Sequence, residues 1–227
     1  MASTTDSARR PAEGQPAGGP ALAPLHRGAL NLPNLITLSR IGLAILLFVL
    51  IDLNGFWISA AVLFVVAAAT DALDGYIARR YGMITTLGRI LDPFADKIIV
   101  GGAFIFLLDK KVNLANGDAA WSGVNAWMVI AVIGREMFVT SLRGFLEKYG
   151  YDFSADWAGK SKMILQCIAV TASLLSLSPE FREAFPACSV VRDILLWTAV
   201  AVTLYSGASY VFRAASMLRP PAAGPRS

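Results

Sequence analysis

The chain has one histidine and two cysteines among its 227 residues, and only 16% of them are charged. His26 lies in an N-terminal stretch rich in Ala, Pro and Gly, so a His-centred triad or a His general base is excluded. No CxxC and no Cys/His cluster occurs, which leaves no zinc site. Nothing in the spacing pairs Cys167 with Cys188. Soluble domains carry about 25% charged residues. With 56% hydrophobic residues and a mean hydropathy of +0.56, this composition is that of a membrane protein. The net charge of +4 is modest and reads as topology, not as a nucleic-acid footprint. Arg9-Arg10 is followed by Pro11-Ala12-Glu13-Gly14 where a signal peptide would need an apolar core, so no cleaved signal is expected.

What the chain does have is a series of long apolar runs. A bilayer span takes about 20 mostly apolar residues, and six fit. They are expected at about 35–53, 56–80, 87–108, 123–148, 157–177 and 191–217. The expected architecture is therefore an all-α integral membrane protein with six transmembrane helices. Residues 1–28 read as a disordered tail, 29–217 as one six-helix membrane catalytic domain, and 218–227 as a loose Pro/Ala/Gly tail. Asn54-Gly55 predicts a tight turn. Residues 109–122 and 178–186 read as loops, and Pro93 as a first-turn or kink position. Six spans put both termini on one side. Only Lys110, Lys111, Arg182 and Arg192 fall on the other side, so the positive-inside rule places both termini and the acidic stretch at the cytoplasmic face of the inner membrane. Trp57 and Trp121 are then expected at the outer interface.

The chemistry concentrates between the second and third runs. At about 100° per residue, Asp71, Asp74, Gly75 and Ala78 share one helix face, and Asp92 and Asp96 share a face of the next helix. Four converging carboxylates need positive charge among them. Oxygen-only ligands favour Mg²⁺ or Mn²⁺, and carboxylates beside hydrocarbon are usually functional.

Asp71-x2-Asp74-Gly75-x2-Ala78-Arg79-x8-Gly88-x3-Asp92-x3-Asp96 resembles the signature of the CDP-alcohol phosphotransferases at every specified position. The resemblance runs from about residue 31 to 215. It implies that family's fold and reaction, in which a CDP-linked lipid donates its phosphatidyl group to an alcohol and CMP leaves. It also implies two divalent ions held by Asp71, Asp74 and Asp92 with Asp96 nearby, and Asp96 as general base, with Asp92 also at the catalytic centre. Gly75, Ala78 and Gly88 would allow close approach of the nucleotide, and Arg79 would meet the donor phosphates. When the resemblance is set aside, tight helix packing is the commoner explanation of the small residues, and positive-inside topology is the alternative for the arginine. Asn34 and Thr37, in Pro33-Asn34-x2-Thr37-x2-Arg40, look like the phosphatidylglycerophosphate synthase branch near its nucleotide site.

Arg135 and Glu136 sit inside an apolar run, which is costly. The ordinary account is a buried ion pair or a bridge to a neighbouring helix. Arg135 and Arg143 lie about 12 Å apart along a helix, and Lys160 and Lys162 open the next run at the same depth. These four cations point to an anionic acceptor. Gly134-Arg135-Glu136-x6-Arg143 and Gly159-Lys160-x-Lys162-x3-Gln166 resemble the same branch, which implies CDP-diacylglycerol and sn-glycerol 3-phosphate as substrates and a homodimer among membrane lipids. Met163 departs from the branch's pattern after Lys162. Inositol phosphate or phosphatidylglycerol are alternative acceptors within the family. From another class, an ion or proton transporter could use the same aspartates as a relay.

Overall fold

The computed structural model describes the backbone of residues 32–81, 86–113, 117, 119–148 and 157–217, and side chains over 38–70, 94, 97–113, 117, 119–148 and 161–216. Both expected tails, 1–28 and 218–227, lie outside the described residues.

Among the described residues there are six long helices. They are α1 (Leu32–Leu53), α2 (Trp57–Tyr81), α3 (Thr86–Leu107), α4 (Ala126–Lys148), α5 (Trp157–Ser176) and, after the short α6 (Pro179–Ala184), α7 (Cys188–Met217). Apolar runs of this length hydrogen-bond their own backbone, as a bilayer requires. α1 ends where Asn54 and Gly55 adopt φ of 55° and 90°, the left-handed turn expected of this dipeptide. α3 continues as helix through Pro93, which stands beyond its first turn.

α5 is the hub, touching α2, α3, α6 and α7, while α1 packs on α2 and α3, and α4 on α7 and α3. Alanines hold α2 close, with Ala60 and Ala67 fully buried. α1 and α3 meet where the Phe48 ring lies over Gly102, and that ring stacks on Phe106 with centroids 4.8 Å apart. Outside this core the surface stays apolar: Trp127 is 79% exposed and Phe212 76%. A soluble monomer rarely shows so continuous an apolar surface. The Cys188–Ser216 helix is long and apolar enough to cross a membrane.

Two expected loops are structured. Between α3 and α4 the chain forms an antiparallel hairpin, β1 (Lys111–Asn113) with β2 (Ala119–Trp121), in place of an unbroken polar loop. An all-α reading misses it because three-residue strands carry almost no periodicity. Residues 179–184 form α6, capped by Ser178, whose hydroxyl accepts from the Phe181 amide, with Pro179 opening the first turn. Ser-Pro-Glu is a helix start, and only its shortness hid it. Gly123 has φ 80° and cannot open a helix, so α4 begins at Ala126, where the Asn125 side chain accepts from the Met128 amide. Trp57, expected at an interface, is 1% exposed and packs in the core.

Arg192 closes this end of the bundle. It is 4% exposed and donates to the Trp121 carbonyl, to Ser176 Oγ at 3.2 Å and to Asp193 at 2.9 Å. Lys110, Lys111, Arg182 and Arg192, grouped by the sequence on one side, all lie on or beside the hairpin, α6 or the start of α7.

Candidate active site

The opposite end is built by the α2–α3 junction. Asp71 and Asp74 lie in the last three turns of α2, and Asp92 and Asp96 in the first three turns of α3. Four residues join the two helices, and the helices touch. The backbone therefore brings both aspartate pairs to one end of the bundle. Asn34 and Thr37 lie in the first two turns of α1, Gly75, Ala78 and Arg79 in α2, and Gly88 in α3. The side-chain surroundings of all these residues, and of Lys160 in α5, lie outside the described residues.

The basic cluster is described in detail, and it joins three helices. Glu136 of α4 accepts from Lys162 Nζ of α5 and from Arg135 Nη1 at 3.4 Å. Lys162 and Arg135 side chains are each 8% exposed, and Glu136 22%. Glu136 thus bridges to the neighbouring helix, one of the accounts open from the sequence. Arg135 also donates to Ser206 Oγ of α7 at 2.6 Å, and Arg143 to the Tyr210 hydroxyl at 3.2 Å. Both guanidinium carbons lie close to the Tyr210 ring, 5.4 Å and 5.9 Å from its centroid. Such cation–π contacts are worth about 0.5–2 kcal/mol each, the more so where water is excluded. Gln166, one turn beyond Lys162, donates to Thr203 at 2.8 Å.

Among the described residues, a contact of Lys97 relates this cluster to the helix that bears Asp92 and Asp96. Lys97, next in the chain to Asp96, donates to Thr140 Oγ1 at 2.7 Å, and Thr140 in turn donates to the Glu136 carbonyl at 2.7 Å. The contact ties the Lys97 turn of α3 to the α4 turn that runs from Glu136 to Thr140. The structure links Arg135, Arg143 and Lys162 through Glu136 and the Tyr210 ring, with Lys162 engaged by a carboxylate. Ser206, Tyr210 and Lys97 were not singled out from the sequence. Ser206 and Tyr210 stand four apart on α7, which also bears Thr203, Ser209 and Arg213, so their spacing alone does not set them apart. Lys97 carries no signal either.

Asp71, Asp74, Asp92 and Asp96 supply only oxygen, from two touching helices at one end of the bundle. That donor chemistry fits a hard divalent cation.

The model of the CDP-alcohol phosphatidyltransferase family matches residues 30–205. The chain belongs to this family and is a phosphatidyltransferase. Its relatives narrow the likeness further. The CDP-diacylglycerol–glycerol-3-phosphate 3-phosphatidyltransferase of Bacillus subtilis (strain 168) is 40% identical over 195 residues, covering 79% of this chain and 93% of its own length. The protein of the same name in Rickettsia bellii (strain RML369-C) is 34% identical, with the same coverage. A probable phosphatidylglycerophosphate synthase of Mycobacterium tuberculosis (strain ATCC 25618 / H37Rv) is 32% identical over 210 residues, covering 90% of this chain and 88% of its own. A transporter reading accounts for none of this and gives way.

Proposed function

We propose that the chain transfers the phosphatidyl group of CDP-diacylglycerol to sn-glycerol 3-phosphate, giving phosphatidylglycerophosphate and CMP. The observation that carries this reading is the Lys97–Thr140 contact, which joins α3, one residue after Asp96, to the helix that bears Arg135 and Arg143. A transfer site needs a donor end near an anionic acceptor end, and this contact between α3 and α4 supports such an arrangement. The names of the relatives support the choice of substrates.

Asp71, Asp74 and Asp92, with Asp96 beside them, would hold two Mg²⁺ or Mn²⁺ ions. When bound, these neutralise the diphosphate and ease departure of CMP. Asn34, Thr37, Gly75, Ala78, Arg79 and Gly88 line the cytidine diphosphate side. Arg135, Arg143, Lys160 and Lys162 hold the acceptor phosphate. The acceptor hydroxyl oxygen bonds to the phosphatidyl phosphorus as its bond to the CMP oxygen breaks. The hydroxyl proton passes to the Asp96 carboxylate. The six long helices cross the inner membrane, with both termini and the site at the cytoplasmic face and the donor's acyl chains in the bilayer. The enzyme works as a homodimer among membrane lipids.

The test is an acceptor panel. Purified protein with CDP-diacylglycerol and Mg²⁺ or Mn²⁺ should release CMP when glycerol 3-phosphate is added. Release that instead follows inositol phosphate or phosphatidylglycerol would move the acceptor assignment.

A further inference from the structure

We infer that Ser206 and Tyr210 of α7 are positioning residues for the acceptor, a two-rung rack that aims Arg135 and Arg143 at one anionic group. The inference rests on the reading above, in which the acceptor carries a phosphate. Neither residue belongs to the aspartate signature or to the basic motifs of α4 and α5.

Arg135 and Arg143 are like charges on one helix, two turns apart. Left to themselves they repel, and each long side chain samples many rotamers. α7 removes that freedom. Ser206 takes one arm of Arg135 at 2.6 Å, and the Tyr210 hydroxyl takes one arm of Arg143 at 3.2 Å. Ser206 and Tyr210 are i and i+4 on α7, so the two arginines, two turns apart on α4, converge on a single turn of α7. Both guanidinium groups also share the Tyr210 ring, whose face is the negative end of its quadrupole. Tyr210 is 2% exposed, so the ring has little room to move.

Each guanidinium keeps a donor in reserve. Arg135 Nε and Arg143 Nε are buried and have no hydrogen-bond partner among the described residues. A buried, unsatisfied charged donor is costly and calls for an explanation. Two on one helix, both held by the same α7 surface, are explained by one visiting anion with several oxygens. Ordinary helix-to-helix adhesion between α4 and α7 would explain the partnered arms but not the reserved ones.

The backbone of α7 makes room for the same arrangement. A Cβ on Gly207 would stand 3.1 Å from Arg135 Cγ, so the Arg135 stem passes directly over that glycine. Gly207→Ala therefore displaces the arginine while removing no polar group.

The experiment uses the full chain in detergent or nanodiscs with Mg²⁺, measuring CMP release against glycerol 3-phosphate and, separately, against CDP-diacylglycerol. Ser206→Ala, which loses one charge-assisted hydrogen bond, should raise KM for glycerol 3-phosphate about threefold, Tyr210→Leu, which loses a bond and the shared ring, about tenfold, and both should leave KM for CDP-diacylglycerol within about twofold. Tyr210→Phe keeps the ring and should recover part of the loss, to about threefold above wild type. Gly207→Ala should shift the acceptor KM in the same direction. If the acceptor KM is unchanged in Ser206→Ala and Tyr210→Phe, the inference is wrong. It is equally wrong if both KM values rise together with a fall in melting temperature, since that is the mark of a packing role. If the wild type shows no response to glycerol 3-phosphate, the acceptor assignment itself fails and the inference falls with it.

Discussion

Lys162 of α5 donates its ammonium to Glu136 of α4, and the neighbouring Arg135 reaches the same carboxylate oxygen at 3.4 Å. One acid thus balances two cations in a region where apolar side chains surround them. Breaking a buried pair on one side costs about 3–5 kcal/mol, and Glu136 is 22% exposed, so the lower end applies. Glu136→Gln should lower the melting temperature of the purified protein. It also frees Lys162, so millimolar glycerol 3-phosphate should stabilise the variant more than the wild type. A variant that melts with the wild type, with or without that ligand, would refute this.

Asp96→Asn should cut CMP release by roughly 10²–10⁴-fold, the usual scale for a general base, while the other three aspartates still retain CDP. The check is turnover beside a CDP binding measurement on the same preparation. Chelation with EDTA should abolish turnover in the wild type, and added Mg²⁺ or Mn²⁺ should restore it. Loss of CDP binding in Asp96→Asn would place Asp96 among the donor's essential ligands and not as the base.

Gly102 has no spare room. A Cβ there would meet Phe48 Cζ at 2.2 Å and Cε1 at 2.8 Å, and the Phe48 ring is braced against Phe106. Gly102→Ala should destabilise the α1–α3 contact by about 1–3 kcal/mol, the usual scale of overpacking. Adding Phe48→Leu should restore part of the lost melting temperature. A single variant as stable as the wild type would show that the ring swings aside at no cost.

Arg192 holds the hairpin, α5 and α7 together at the end of the bundle away from the α2–α3 junction. Arg192→Met strands the Trp121 carbonyl, while Ser176 keeps its bond to the Ser173 carbonyl, with an expected loss of about 1–3 kcal/mol. Asp193 is half-exposed, and Asp193→Asn should cost no more than about 1 kcal/mol. Melting curves should separate the two variants. Initial rates of CMP release at low temperature should be the same for both, because neither touches the site.

The local chemistry was legible in the residues themselves. The spacing of Asp71, Asp74, Asp92 and Asp96 shows which carboxylates share a helix face, because helical geometry acts over three or four residues. The turn at Asn54-Gly55 follows for the same reason, since glycine and asparagine adopt positive φ readily. The lengths of the apolar runs were enough to place six long helices within a few residues. What the tertiary structure alone decided is which helices are neighbours and how each is rotated. The bonds joining Glu136 to Lys162, Arg143 to Tyr210, and Arg135 to Ser206 span 26, 67 and 71 residues. No periodicity reaches that far. The burial of Trp57 and the short hairpin depend likewise on what packs against them, and that becomes defined only once the whole bundle has closed.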